Sequence, residues 1–68
     1  MINIWDYANT RPRIRLKTKN GRTFVGDTLM VYDAIETDSE EDSISVELNT
    51  GEIASFYPSE ISSIEVVR

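Results

Sequence analysis

The sequence predicts an all-β fold, a small five-stranded barrel with a short N-terminal helix, in one domain over residues 1–68. Apolar and polar residues alternate with period two in several short stretches, which is typical of half-buried strands. Turn residues separate these stretches at regular intervals, as in sandwiches and barrels. The chain has 68 residues, which is room for one domain. Closing so small a sheet removes most of its exposed edges.

The first two predicted elements are the short helix and a strand. Asn3 is expected to cap the helix, with Asp6 near the positive end of the helix dipole. Residues 13–19 read RIRLKTK, an alternation of charged and less polar side chains. This pattern predicts a half-buried strand with Ile14 and Leu16 pointing inward.

A hairpin follows this strand. Asn20-Gly21 predicts its turn, because both residues tolerate positive φ. The returning strand, over residues 22–33, changes the phase of its apolar positions, with Leu29 and Val31 apolar in its second half. Gly26 comes just before this change, and a glycine inside a strand indicates a bulge or a bend.

Six elements complete the predicted chain. They are a loop at 36–43, a strand at 44–48, a turn at 49–51, a strand at 52–57, a one-turn helix at 58–61 and a strand at 62–67. The loop contains no apolar side chain, which is typical of a solvated segment. Pro58 ends the preceding strand because proline has no N–H to donate. Ile61 is expected to plug the barrel end, and Ile64 and Val66 are expected to point inward.

Charge is distributed unevenly along the chain. The net charge is −5, which disfavours non-specific attraction to nucleic acid or anionic membrane. Six of the seven basic residues nevertheless lie between residues 11 and 22. Every second residue from 11 to 19 is basic and shares one face, in a line of roughly 26 Å. The candidate contact residues on this line are Arg13, Arg15, Lys17 and Lys19.

This basic line has two interpretations. A phosphate backbone could follow it, with an affinity that falls as salt rises. No aromatic residue lies between Tyr7 and Phe24, so the strand offers no platform for base stacking. The other interpretation is the solvated outer face of a strand, partly paired with acids on neighbouring strands.

The composition disfavours several classes of function. The chain has no histidine and no cysteine, which removes the usual general base, disulfides and the common zinc ligands. No motif places a base beside a serine. We therefore expect no enzyme, no cofactor and no small-molecule substrate. No signal peptide or membrane span is evident, so we expect a cytoplasmic protein without membrane contact.

The loop at 36–43 carries acids in a spacing that partly matches a cation site. Asp38, Glu40 and Asp42 stand at alternate positions, as at the start of a calcium loop. Ser43 and Asn49 then occupy the positions where such a loop needs glycine and glutamate. We interpret the segment as a solvated loop held open by like charges, with no metal.

Residues 21–26 (GRTFVG) place an apolar residue between two glycines, and Asp33 closes the following strand. In this spacing and in strand order the chain resembles an Sm-like (LSm) domain, a small barrel of SH3-like type. The resemblance implies assembly into rings, in which the last strand docks on the next subunit's fourth strand. It also implies a pocket for an RNA base, but Ile35, Thr37 and Thr50 depart from the family pattern at the positions of that pocket.

These observations lead to two hypotheses. The first is a binding or assembly module that forms homo-oligomers or contacts a protein, since the chain is small, its last strand lacks protective proline or lysine, and its charges suit head-to-tail contact. The expected oligomer edge consists of Phe56, Tyr57, Ile64 and Val66. The alternative is an RNA-binding Sm-like protein that uses the basic strand in place of the family pocket.

Overall fold

A computed structural model describes residues 2–67 as one antiparallel sheet of five strands, in the order β4-β3-β2-β1-β5. The strands are β1 (Arg13–Thr18), β2 (Thr23–Tyr32), β3 (Ser43–Leu48), β4 (Ile53–Phe56) and β5 (Ile61–Val66). Two single turns of 3-10 helix accompany them, an N-terminal turn (Ile4–Tyr7) and a proline turn (Pro58–Glu60). The predicted all-β class is confirmed. Over this described range no helix is long and apolar enough to cross a membrane.

Two glycines build the two tight hairpins in the same way. The N–H of Gly21 donates to the Thr18 carbonyl at 3.0 Å, and Gly21 has a φ of +88°. Gly51 has a φ of +90° and donates to the Leu48 carbonyl at 2.9 Å. The predicted hairpin is formed, but only Gly21 uses the positive φ that both turn residues tolerate, since Asn20 is not among the residues of positive φ. Asn20 instead accepts a hydrogen bond from the Thr18 hydroxyl.

Strand β2 has two irregular positions. The change of phase is confirmed, but the register with β3 shifts between Thr28 and Met30, which leaves Leu29 as the extra residue. Gly26 has a separate role. A β-carbon at this position would lie 2.2 Å from the carbonyl oxygen of Glu47. Glycine is therefore required because β2 and β3 approach closely there.

The core lies on the inner face of the bent sheet. Its buried apolar residues are Ile4, Ile14, Leu16, Val31, Ile44, Val46, Phe56 and Ile61. The rings of Phe24 and Phe56 have centroids 5.0 Å apart, although β3 separates their strands, so the sheet curls strongly. The edge strands β4 and β5 do not pair with each other, and barrel closure stays a prediction.

The N-terminal turn covers one end of this core. Asn3 caps it as expected, since its side-chain oxygen accepts from the N–H of Trp5 at 3.1 Å. Ile4 is buried in the core. The indole N–H of Trp5 donates to Asp42 at 2.7 Å, which ties the turn to the loop between β2 and β3.

This tie predicts a pH dependence. The hydrogen bond from Trp5, and then that from the backbone N–H of Ala34, lower the pKa of Asp42 below its ordinary value of 3.8. The pKa of Asp42 is lower in the folded chain than in the unfolded chain. The contribution of this carboxylate to the free energy of unfolding is therefore complete above pH 3.8 and is lost as the pH falls through the lower, folded pKa. The chain has one tryptophan, so its fluorescence reports the contact directly. We expect a change of Trp5 emission in this acid range that Asp42→Asn removes. The same change in the variant would contradict this assignment.

Candidate functional site

The two arginines of the basic strand are paired with acids. Arg13 Nη1 lies 3.5 Å from Asp27 Oδ1, and Arg15 Nη1 lies 3.5 Å from Glu65 Oε2. Arg13 also donates to the side chain of Asn49. Pairs exposed to this degree contribute little to stability. They do reduce the positive charge that this part of the strand presents to a phosphate.

Lys17 and Lys19 differ from the arginines. Both are exposed, and neither forms an ion pair among the described residues. Their backbone is fixed, because the N–H of Lys19 donates to the Glu60 carbonyl at 2.8 Å and the Ser62 hydroxyl donates to the Lys17 carbonyl at 3.2 Å. We call Lys17 and Lys19 the basic end. It lies beside the start of β5.

Strand β4 is one open edge of the sheet. The N–H of Leu48 donates to the Glu52 carbonyl at 2.8 Å. Because bonding alternates along an antiparallel pair, the backbone of Ile53 and Ser55 faces away from β3. The predicted edge residue Phe56 has its backbone towards β3 and a buried side chain.

Two exposed apolar residues mark the ends of β4, since Ile53 is its first residue and Tyr57 follows its last. Ile53 is 66 % exposed, and the prediction from the sequence omitted it because its alternation resembled that of an ordinary half-buried strand. Tyr57, which was predicted, is 38 % exposed. The β4 edge therefore combines free backbone groups with exposed apolar surface.

Strand β5 is the other open edge. The N–H of Val67 donates to the Arg13 carbonyl at 2.8 Å, and by the same alternation the backbone of Ile64 and Val66 faces away from β1. Ile64 is half-buried, whereas Val66 is 48 % exposed. Val66 lies opposite the buried Ile14, on the inner face as expected, but it stays exposed because β5 is the last strand of the sheet and no further strand of the described chain covers it.

The acidic loop (residues 33–42) is held by its own hydrogen bonds. Its contacts include the N–H of Ile35 to Asp33 Oδ1 at 2.8 Å and the N–H of Ala34 to Asp42 Oδ1 at 2.8 Å. Ile35 is nonetheless 89 % exposed. This ordered loop therefore presents an isoleucine and several carboxylates to solvent.

The three positions at which the sequence departs from the Sm-like pocket do not meet. Ile35 and Thr37 lie in the acidic loop, where the Thr37 hydroxyl bonds to Ser39 Oγ at 3.1 Å. Thr50 lies in the turn between β3 and β4 and bonds to Glu52 at 3.3 Å. Loop and turn are at opposite ends of β3, roughly 20 Å apart along the strand. These residues do not line one pocket.

A groove lies beside the proline turn. It has a volume of about 610 Å³ and is lined by Ile2, Lys19, Glu41, Pro58, Ser59, Ile61 and Ser62. The carboxylate of Glu41, which lines this groove, already accepts hydrogen bonds from the N–H and the hydroxyl of Ser59 at 3.1 and 2.6 Å. Within residues 2–67, no group of three or more potential ligands could hold a metal ion.

Comparisons with known proteins do not identify a relative. No family model matches the chain, and no curated protein or solved structure matches it either. Fold and site together define a class: a small all-β chain whose curled, open sheet has an apolar residue exposed on each edge.

Proposed function

We propose that this chain is a small non-enzymatic assembly module whose copies join through the β4 and β5 edges. The proposal includes a ring of Sm-like barrels, as the sequence resemblance implies. The observation that carries it is the presence of two open edges on one sheet, each with exposed apolar side chains, Ile53 and Tyr57 on one and Val66 on the other.

Edge strands with free N–H and C=O groups are templates for pairing with another chain. Proteins that avoid such pairing usually place lysine or proline on the edge, and neither β4 nor β5 contains one. A chain of this size also buries only about 60 % of its unfolded surface, so association is a natural source of added stability. Both arguments favour joining of edges between copies.

The test measures molar mass by light scattering behind a sizing column. We expect the wild-type chain to exceed the 7.8 kDa of one copy, and we expect Ile53→Lys with Val66→Lys to reduce the mass to 7.8 kDa. Charges placed on both edges oppose strand pairing. Both side chains are exposed, so the monomer should stay folded.

Met30→Lys is the matched control. Met30 is 46 % exposed, but it lies on β2, away from both edges. It should leave the mass of the wild type unchanged. A wild-type mass of 7.8 kDa at high concentration would overturn the proposal, and so would equal loss of assembly in all variants.

The second candidate function is RNA binding through the basic strand. The exposed and unpaired Lys17 and Lys19 favour it, whereas the pairing of Arg13 and Arg15 with acids opposes it. Fluorescence anisotropy with short single-stranded RNA at low salt separates the two functions. Micromolar binding that weakens with salt and is lost in Lys17→Glu with Lys19→Glu would favour RNA binding.

A further inference from the structure

Two oppositely charged surfaces lie one beside each open edge of the sheet. The acidic loop lies at the C-terminal end of β4, because Ile44, just after the loop, pairs with Phe56. The basic end lies at the N-terminal end of β5, because Thr18 pairs with Ile61. The proline turn connects these two ends of the strands.

We infer that copies join with β4 of one antiparallel to β5 of the next, and that the acidic loop of one copy contacts the basic end of the next. This inference rests on the proposed joining of edges. An antiparallel junction sets the C-terminal end of β4 against the N-terminal end of β5, which brings the two surfaces together. A parallel junction would set the acidic loop at the other end of β5, away from Lys17 and Lys19.

The groups needed for this contact are available. Glu36, Asp38 and Glu40 are exposed, and within residues 2–67 their carboxylates accept no hydrogen bond and form no ion pair. Lys17 and Lys19 are equally unpaired there. Each exposed ion pair changes an equilibrium by up to roughly fivefold, so several pairs set the direction and salt dependence of assembly.

Ile35 supplies an apolar part of the same contact. A side chain that is 89 % exposed on a hydrogen-bonded loop adds apolar surface beside Glu36. Burial of this surface against the next copy would add to the ionic attraction. The partner of the acidic loop is thus a second copy of this chain.

Complementary charge reversal tests the contact. One variant carries Lys17→Glu and Lys19→Glu, and the other carries Glu36→Lys and Glu40→Lys. Each alone places two charges opposite two of the same sign across every junction, and we expect association at least about tenfold weaker than that of the wild type at 50 mM salt. In an equimolar mixture of the two, every junction between unlike copies is again attractive, and association should be restored.

The control variant carries Glu47→Lys and Glu52→Lys, which reverse two acids near the other end of β4. Mixing it with the Lys17→Glu, Lys19→Glu chain should not restore the association of that chain. Suppose that the wild type is an oligomer. If either reversed variant then associates as strongly as the wild type, or if the mixture of the two does not regain association, the charge contact is wrong but the proposed joining of edges is not contradicted. If wild type is a monomer, the proposed function itself fails. Association at 1 M salt should be weaker than at 50 mM, because the Debye length falls to about 3 Å.

Discussion

Replacing Gly26 with alanine is expected to cost more than about 3 kcal/mol of unfolding free energy, which is most of the stability of a domain this small. The added β-carbon would lie 2.2 Å from the Glu47 carbonyl oxygen and 2.8 Å from Val46 Cγ1. The first of these atoms belongs to the backbone of β3. It can move only if the pairing of β2 with β3 breaks. Urea unfolding followed by circular dichroism at fixed protein concentration measures the loss.

Gly21→Ala is the informative comparison. Gly21 has a φ of +88°, but its added β-carbon would meet nothing within 4 Å. A left-handed conformation costs a non-glycine residue about 1–2 kcal/mol. We therefore expect Gly26→Ala to be the more damaging change although only Gly21 has an unusual backbone conformation. The reverse order would contradict the close approach of the two strands.

The second large effect is expected at Leu16. This residue is 1 % exposed and pairs with Phe24 on one side and Ile64 on the other. Leu16→Ala leaves a cavity between three strands, and such truncations cost about 2–5 kcal/mol. We expect the variant to be largely unfolded at 25 °C, as measured by amide exchange or thermal melting.

Leu16→Met separates volume from chemistry at the same site. It keeps the side-chain volume, so we expect a loss below about 1.5 kcal/mol. Near-equal melting temperatures for the alanine variant and the wild type would show that Leu16 is not a core residue. Equal losses for alanine and methionine would show that its shape matters rather than its volume.

The two predictions concern the parts of the molecule that hold the open edges in position. Gly26 allows β2 and β3 to approach closely, and Leu16 anchors β1 between β2 and β5. Either change should therefore also reduce assembly. The edge and charge variants are designed to change assembly while the core stays intact, which keeps stability and association experimentally distinct.

Local patterns were sufficient for most of the fold. Alternation over Arg13–Thr18 located β1 and its buried face, and glycines at 21 and 51 located both hairpin turns. Pro58 located the break before β5. These features depend on neighbours in the sequence, because side-chain alternation and turn conformation are local properties of the backbone.

Other features depended on contacts between distant residues. The bulge lies at Leu29 rather than Gly26, since register is set by the pairing of β2 with β3. Val66 alternates like a core residue but is 48 % exposed, because it lies on the last strand. Phe56 was expected at an interface, yet its ring packs on Phe24.

The sequence by itself determined the all-β class, the order of the elements, the two turns and the separation of basic from acidic segments. Only the tertiary structure decided which strands form the edges, which backbone groups remain free and which charges are already paired. The physical reason is that free edges and ion pairs are properties of strand order and register. That β4 and β5 form the two edges follows from the order of all five strands in the sheet.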